Sequence, residues 1–157
     1  MSNQTACGVV EDLVRTFGEV RIRVFGTSMM PALNPGDVVS IQGTAMEEVW
    51  VGEIVVFTRD GRLFAHRVVE KIGSVAELRL ITRGDRLPQN DPPVTPTELL
   101  GRITGAERNG KRIDPNKPLG PVKRAIAPLL KISEHATFAY MRFLEFQRAI
   151  FLAERVR

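Results

Sequence analysis

Apolar residues recur at helical spacing only toward the two ends of this chain. Near the N-terminus Val9, Val10, Leu13, Val14 and Phe17 fall on one face of a 3.6-residue period, and Gly18 supplies a stop. This predicts a short amphipathic helix over residues 9–17. From Glu19 to about Ile113 the pattern changes to short β-rich runs, over residues 20–25, 38–41, 54–58, 63–72, 75–82 and 99–107. Asp60-Gly61 and Asn109-Gly110 punctuate them; these are the dipeptides of two-residue hairpins, whose central residues both need positive φ. Between Leu87 and Thr97, Pro88, Pro92, Pro93 and Pro96 each lack a ladder N–H, so this segment reads as a stiff loop rather than a central strand. After Pro121 the helical period returns in Val122, Ile126 and Leu129, then in Phe138, Met141, Leu144 and Phe151, with an interruption expected at Pro128. The expected fold is therefore mainly β. It comprises an antiparallel domain over residues 19–113, a short helix within residues 1–18, and a helical tail over residues 114–157.

Composition bounds this picture without changing it. With 157 residues, 43% hydrophobic and 25% charged, the chain has the make-up of one ordinary globular unit. Residues 117–157 hold eight basic and three acidic side chains, so this tail carries the whole excess behind the formal charge of +4. An excess of that size does not argue for nucleic acid, and no such partner is expected. Cys7 is the single cysteine, which excludes an internal disulfide framework and a Cys-cluster zinc site. The longest run free of Asp, Glu, Lys and Arg is residues 24–36; it contains Gly26, Pro31 and Pro35, so no segment reads as a membrane-spanning helix. Residues 1–8 lack the basic-then-apolar pattern of a secretory signal, and a cytoplasmic location is the default. A helix over residues 136–152 would place Phe138, Met141, Leu144 and Phe151 near one side, with Arg142 and Arg148 toward another. Such a helix can pack on its own domain, dock a partner, or make peripheral contact with an anionic membrane. His135 reads as an exposed helical histidine, and Trp50 as a core residue by default or else an interfacial anchor.

The segment richest in chemical possibility is Gly26-Thr27-Ser28-Met29-Met30-Pro31-Ala32-Leu33-Asn34-Pro35-Gly36-Asp37, lying between two expected strands. A serine at a strand end before a Pro/Gly-rich turn can be held rigidly, as a nucleophile requires, although on its own it is far more often a turn serine bonding its backbone. His66, in the apolar run Phe64-Ala65-His66-Arg67-Val68, is alone more often structural than catalytic. Asp85 and Asp91 border the proline-rich loop, where aspartates commonly form turns. A His66, Asp85 and Asp91 metal site is compatible by ligand type, but its spacing is not diagnostic.

Taken in order, these segments resemble the signal peptidase I superfamily, and within it the endoplasmic-reticulum and archaeal branch. Ser28-Met29-Met30-Pro31 followed by Gly36-Asp37 resembles the box around the nucleophile. Val51-Gly52-Glu53-Ile54-Val55-Val56-Phe57 is similar to that family's Gly-Asp-Ile-Val-Val-Phe strand, with Glu53 in place of aspartate. His66-Arg67-Val68 is similar to the segment of the general base, and Thr82-Arg83-Gly84-Asp85 with Asp91 to the last box. The resemblance covers about residues 21–103. It implies a β-rich peptidase fold and a serine endopeptidase that cuts an extended peptide or protein substrate after small residues, alanine above all. Ser28 would be the nucleophile, with its own backbone N–H in the oxyanion hole, and His66 the general base. Asp91 would orient the imidazole and Asp85 would support the site. Ile22, Val24, Met29 and Met30 would line the substrate, and no cofactor or metal is expected.

The chemistry agrees with these assignments. A serine hydroxyl is a weak nucleophile until a base takes its proton, and neutral imidazole suits that task near neutral pH. A carboxylate on the far ring nitrogen fixes the tautomer. Two departures stand out. The hydroxyl that family members place two residues before the nucleophile is missing at Gly26, and the helix over residues 9–17 stands where relatives have a membrane anchor. Two alternatives remain open: a self-cleaving or partner-cleaving domain of the SOS-repressor type, which uses a serine–lysine dyad, and a non-catalytic module that binds through the basic tail.

Overall fold

The computed structural model describes residues 3–74 and 77–155. Among the described residues, seven strands form one antiparallel sheet: β1 (Glu19–Arg23), β2 (Val38–Gln42), β3 (Ile54–Arg59), β4 (Arg62–Ile72), β5 (Arg79–Arg83), β6 (Leu99–Arg108) and β7 (Lys111–Ile113). Their order is β1-β2-β6-β3-β4-β5, with β7 paired to β6. The mainly β architecture is thus as the sequence pattern predicts, with α1 (Asn3–Phe17) before the sheet and α2 (Pro121–Ile132) and α3 (Glu134–Arg155) after it. No described helix is long and apolar enough to cross a membrane.

Strand alternation gives the sheet two apolar faces. Val14 of α1 packs with Val39, Ile41, Ile54, Val56 and Ile103 on one face, whereas Val49, Val55, Phe57, Val68, Leu80 and Val94 form a second cluster. The run Ile54–Val55–Val56–Phe57 is therefore buried on both sides, which is why β3 reads as continuous rather than alternating. Both hairpin signals form the turns they encode: Asp60 and Gly61 have φ of 51° and 66°, and Asn109 and Gly110 of 49° and 73°. The first turn sets the β3–β4 register that places His66 opposite Val55. A register shift between Val68 and Glu70 aligns Val68 with Thr82 and brings the end of β5 beside His66.

The proline-rich loop is fastened at several points. Leu80 and Val94 exchange backbone hydrogen bonds of 3.1 and 2.8 Å. Arg59 donates to the carbonyls of Pro92 and Pro93 at 3.1 and 3.0 Å and to both Glu98 oxygens at 2.7 and 3.1 Å. The Arg59 guanidinium, helped by the Thr95 backbone and hydroxyl donors, outweighs burial and pushes the Glu98 carboxyl down from 4.5 to about 2. A carboxylate with a depressed folded-state pKa stabilises the fold above pH 4.5, and this contribution fades as the pH falls from 4.5 toward 2. Thermal unfolding of wild type and Glu98→Gln should therefore show a clear gap at pH 7 that narrows through that acidic window; a gap independent of pH would contradict the assignment.

Four local readings are corrected. The first helix starts at Asn3 rather than at residue 9. The strand expected over residues 75–82 begins at Arg79, and Val75 and Ala76 lie outside the described residues. Helix α2 continues through Pro128; Pro128 and Arg124 are both exposed, so water can serve the Arg124 carbonyl that loses its intrahelical donor. The break falls instead at Ser133, whose backbone is extended and whose Oγ accepts the Ala136 N–H at 3.2 Å, capping α3. Trp50, expected in the core, is 72% exposed in the turn before β3. His135 is exposed, as read from the sequence.

Candidate active site

The loop between β1 and β2 is pinned from below. Val24 donates to the Asp37 carbonyl at 2.8 Å, and Gly36 donates to the Val24 carbonyl at 2.6 Å. Gly36 has φ +87°, which a residue with a side chain adopts only under strain. Asp37 is fully buried; it accepts the Asn34 N–H at 2.8 Å and a two-point ion pair from Arg108 of β6 at 2.9 and 2.6 Å. The Gly-Asp pair of the first box is thus the anchor that fixes the loop carrying Ser28.

Three of the four sequence-predicted reactive residues converge in a row. His66 Nε2 lies 3.0 Å from Ser28 Oγ, and His66 Nδ1 lies 2.6 Å from Asp91 Oδ2. The imidazole is 3% exposed, with the rings of Phe57 and Phe64 near it in edge-to-face contact at centroid distances of 6.1 and 5.9 Å. Thr82 donates its hydroxyl to the same Asp91 oxygen at 2.7 Å, and the Asp91 N–H donates to the Thr82 carbonyl at 2.8 Å. Burial works against the Asp91 charge. The hydrogen bonds from His66 and Thr82 and the charges of His66 and Arg59 prevail, so its pKa lies below the ordinary aspartate value.

Asp85 does not join this row. Both of its oxygens are taken by Arg67, at 2.8 and 2.7 Å, and Arg67 also donates to the carbonyls of Gly52 and Pro115 at 2.8 and 3.2 Å. Asp85 therefore orients the residue next to His66, and no three-ligand set with His66 and Asp91 is assembled. Of the expected substrate wall, Ile22 and Val24 are half-buried against the first core cluster. Met29 and Met30 correct the expectation: at 3% and 1% exposure they face the interior and present almost no surface to a peptide. The exposed apolar residue leading to the nucleophile is Phe25, at 83%.

Two neighbours escaped the sequence reading. A Cβ on Gly84 would stand 2.9 Å from the Ser28 carbonyl and 3.0 Å from the Leu87 side chain, so glycine permits the close approach of the two loops. Arg86 donates its backbone N–H to the Ser28 carbonyl at 2.8 Å, while its guanidinium reaches Thr27 Oγ1 at 3.3 Å and Thr137 Oγ1 of α3 at 3.2 Å. The hydroxyl adjoining Gly26 is thus held by an arginine. Gly84 could have been singled out from its box; the Arg86 contacts span 51 and 59 residues and leave no local signal.

The chain belongs to the Peptidase S24-like family, whose model matches residues 9–103. Among individual proteins it is similar to signal peptidase complex catalytic subunits of fungi. That of Sclerotinia sclerotiorum is 37% identical over 82 residues, covering 50% of this chain and 45% of that protein. That of Colletotrichum graminicola is 38% identical over 71 residues, covering 43% and 41%. The chain spans less than half the length of these relatives in the matched region.

Proposed function

We propose that this chain is a serine endopeptidase of signal-peptidase type. The observation that carries this reading is the Ser28–His66–Asp91 row, in which one imidazole bridges a hydroxyl at 3.0 Å and a carboxylate at 2.6 Å. In the reaction, Ser28 Oγ attacks the scissile carbonyl as His66 Nε2 takes its proton, and the Ser28 backbone N–H faces the developing oxyanion. Asp91 stays ionised throughout and stabilises the imidazolium, consistent with its depressed pKa. The C–N bond then breaks, His66 returns the proton to the leaving amine, and a water activated by the same imidazole releases the acyl group from Ser28. Asp85 acts through Arg67 and touches no reacting atom. A histidine at the base position also favours this reading over a serine–lysine dyad.

The substrate enters as an extended strand. β1 ends the sheet's strand order and leads directly into Phe25, Gly26 and Thr27 before Ser28, an open edge on which a peptide can pair. Cleavage after alanine-sized residues is expected. Peptides differing only at the residue before the scissile bond test this, with kcat/KM falling about 100-fold from alanine to phenylalanine. Equal cleavage after both would contradict the signal-peptidase type of specificity.

A further inference from the structure

Helix α2 lies outside the residues that match the peptidase family and is built unlike the rest of the surface. Its inner side is Leu130, buried, with Ile126 and Ala127 half-buried beside it. Its outer side is apolar as well: Val122, Leu129 and Ile132 are 71%, 59% and 86% exposed, with exposed Ala125 and Pro128 between them. At 100° per residue these five positions form one continuous stripe, and the exposed cations Arg124 and Lys131 border it on one side. From Pro115 to Ser133 the chain holds Lys117, Lys123, Arg124 and Lys131 and no acidic residue.

Helix α3 is tied to its own domain along one side, while Phe138, Phe143, Phe146 and Leu152 remain exposed. Thr137 is 5% exposed against Arg86, Arg148 donates to the Pro35 carbonyl at 2.6 Å, and the Phe151 ring approaches Gly110 of the β6–β7 hairpin. Met141 and Leu144 are half-buried, whereas Phe138 is 68% exposed, so the face drawn from the sequence for residues 136–152 is divided between interior and solvent. Exposed Glu145 interrupts the outer surface of α3, whereas the exposed stripe on α2 holds no charged residue.

We propose that α2 is an in-plane anchor that lays its Val122–Leu129–Ile132 stripe into the boundary of an anionic lipid surface, with Arg124 and Lys131 on the headgroups. At 12 residues it is too short to span a bilayer, and a stripe of exposed branched side chains bordered by cations, with no acid on the helix itself, is complementary to acyl chains beneath negative headgroups. Antiparallel pairing with a second copy would bring the cationic borders of two such helices together, which like-charge repulsion disfavours. The corner between α2 and α3 is joined to the nucleophile loop: Thr137 Oγ1 bonds the Leu130 carbonyl at 3.3 Å and Arg86 at 3.2 Å, and Arg86 bonds Thr27. An anchored α2 thus holds Ser28 near the lipid surface, within reach of peptides emerging from it. That consequence for substrates rests on the peptidase reading; the lipid contact does not.

Co-sedimentation of the full chain with vesicles of phosphatidylcholine alone, or with added phosphatidylglycerol, tests the anchor. Wild type should bind the anionic vesicles, and raising the salt should weaken binding. The triple variant Val122→Asp, Leu129→Asp, Ile132→Asp should lose at least about tenfold in bound fraction, because charge replaces the inserted stripe. All three positions are exposed, so the variant should keep the wild-type unfolding temperature and its cleavage of a soluble peptide. Ser28→Ala should bind vesicles like wild type, so failure of the peptidase reading and failure of the anchor are separable. Absence of binding to anionic vesicles would overturn the proposal, as would equal binding by the triple variant. So would a wild-type dimer in solution that the triple variant dissolves while neither protein binds lipid, which would give the stripe to self-association.

Discussion

Ser28→Ala and His66→Gln are each expected to lower peptide cleavage by about 10⁶-fold, and the double variant to be little worse than either alone. The two side chains carry out one proton transfer across a 3.0 Å contact, so removing either removes the step and removing the second takes away nothing further. Glutamine is the better substitution at His66 because alanine would leave a cavity beside the stacked Phe57 and Phe64 rings and strip Asp91 of its partner. Ser28 is half-buried and lies outside both core clusters, so Ser28→Ala should unfold within a degree or two of wild type, on the scale of a small surface substitution. Rate measurements on the four proteins, alongside thermal unfolding, check this. Multiplying effects in the double variant would mean that the two residues act separately.

Asp91→Asn is expected to cost about 10⁴-fold in kcat with little change in KM. Asp91 Oδ2 accepts from both His66 Nδ1 and Thr82 Oγ1. An asparagine that puts its carbonyl oxygen in that place keeps both bonds but has no charge to stabilise the imidazolium, and one that turns its NH₂ group there donates to Nδ1. The imidazole then carries its proton on Nε2, facing Ser28, where it cannot act as a base. Asp85→Asn provides the contrast: it loosens the two-point Arg67 contact and should lower the unfolding temperature while keeping kcat within about tenfold, since no reacting atom is touched. If the two asparagine variants lost activity equally, the division of roles between the aspartates would be wrong.

What the sequence made legible follows from the range of the interactions involved. Turns at Asp60-Gly61 and Asn109-Gly110 depend on two residues each and were readable. Ser28, His66 and Asp91 were readable because each sits in a recognisable box, although the sequence could not show that they meet. Met29 and Met30 were misplaced because a nucleophile box reads as surface, whereas the loop that Asp37 and Arg108 pin down turns both methionines into the core. Trp50 reads as core by default, but the turn in which Glu53 Oε2 accepts the Trp50 N–H at 2.8 Å leaves it outside. Arg59 and Arg86 hold the site through contacts 33 to 59 residues away in sequence, and nothing in their immediate neighbourhood marks them, whereas Arg67 lies inside the His66 box. The Pro128 expectation failed because a proline on an exposed helix face costs one hydrogen bond that water can replace.

The central claim is that Ser28, activated by His66, hydrolyses peptide bonds. Its most direct test is to incubate purified wild type and Ser28→Ala with a mixture of unstructured peptides and to identify the new termini by mass spectrometry. Wild type should generate new C-termini at alanine-sized residues and Ser28→Ala none. Intact peptides after incubation with wild type, or the same products from both proteins, would contradict it.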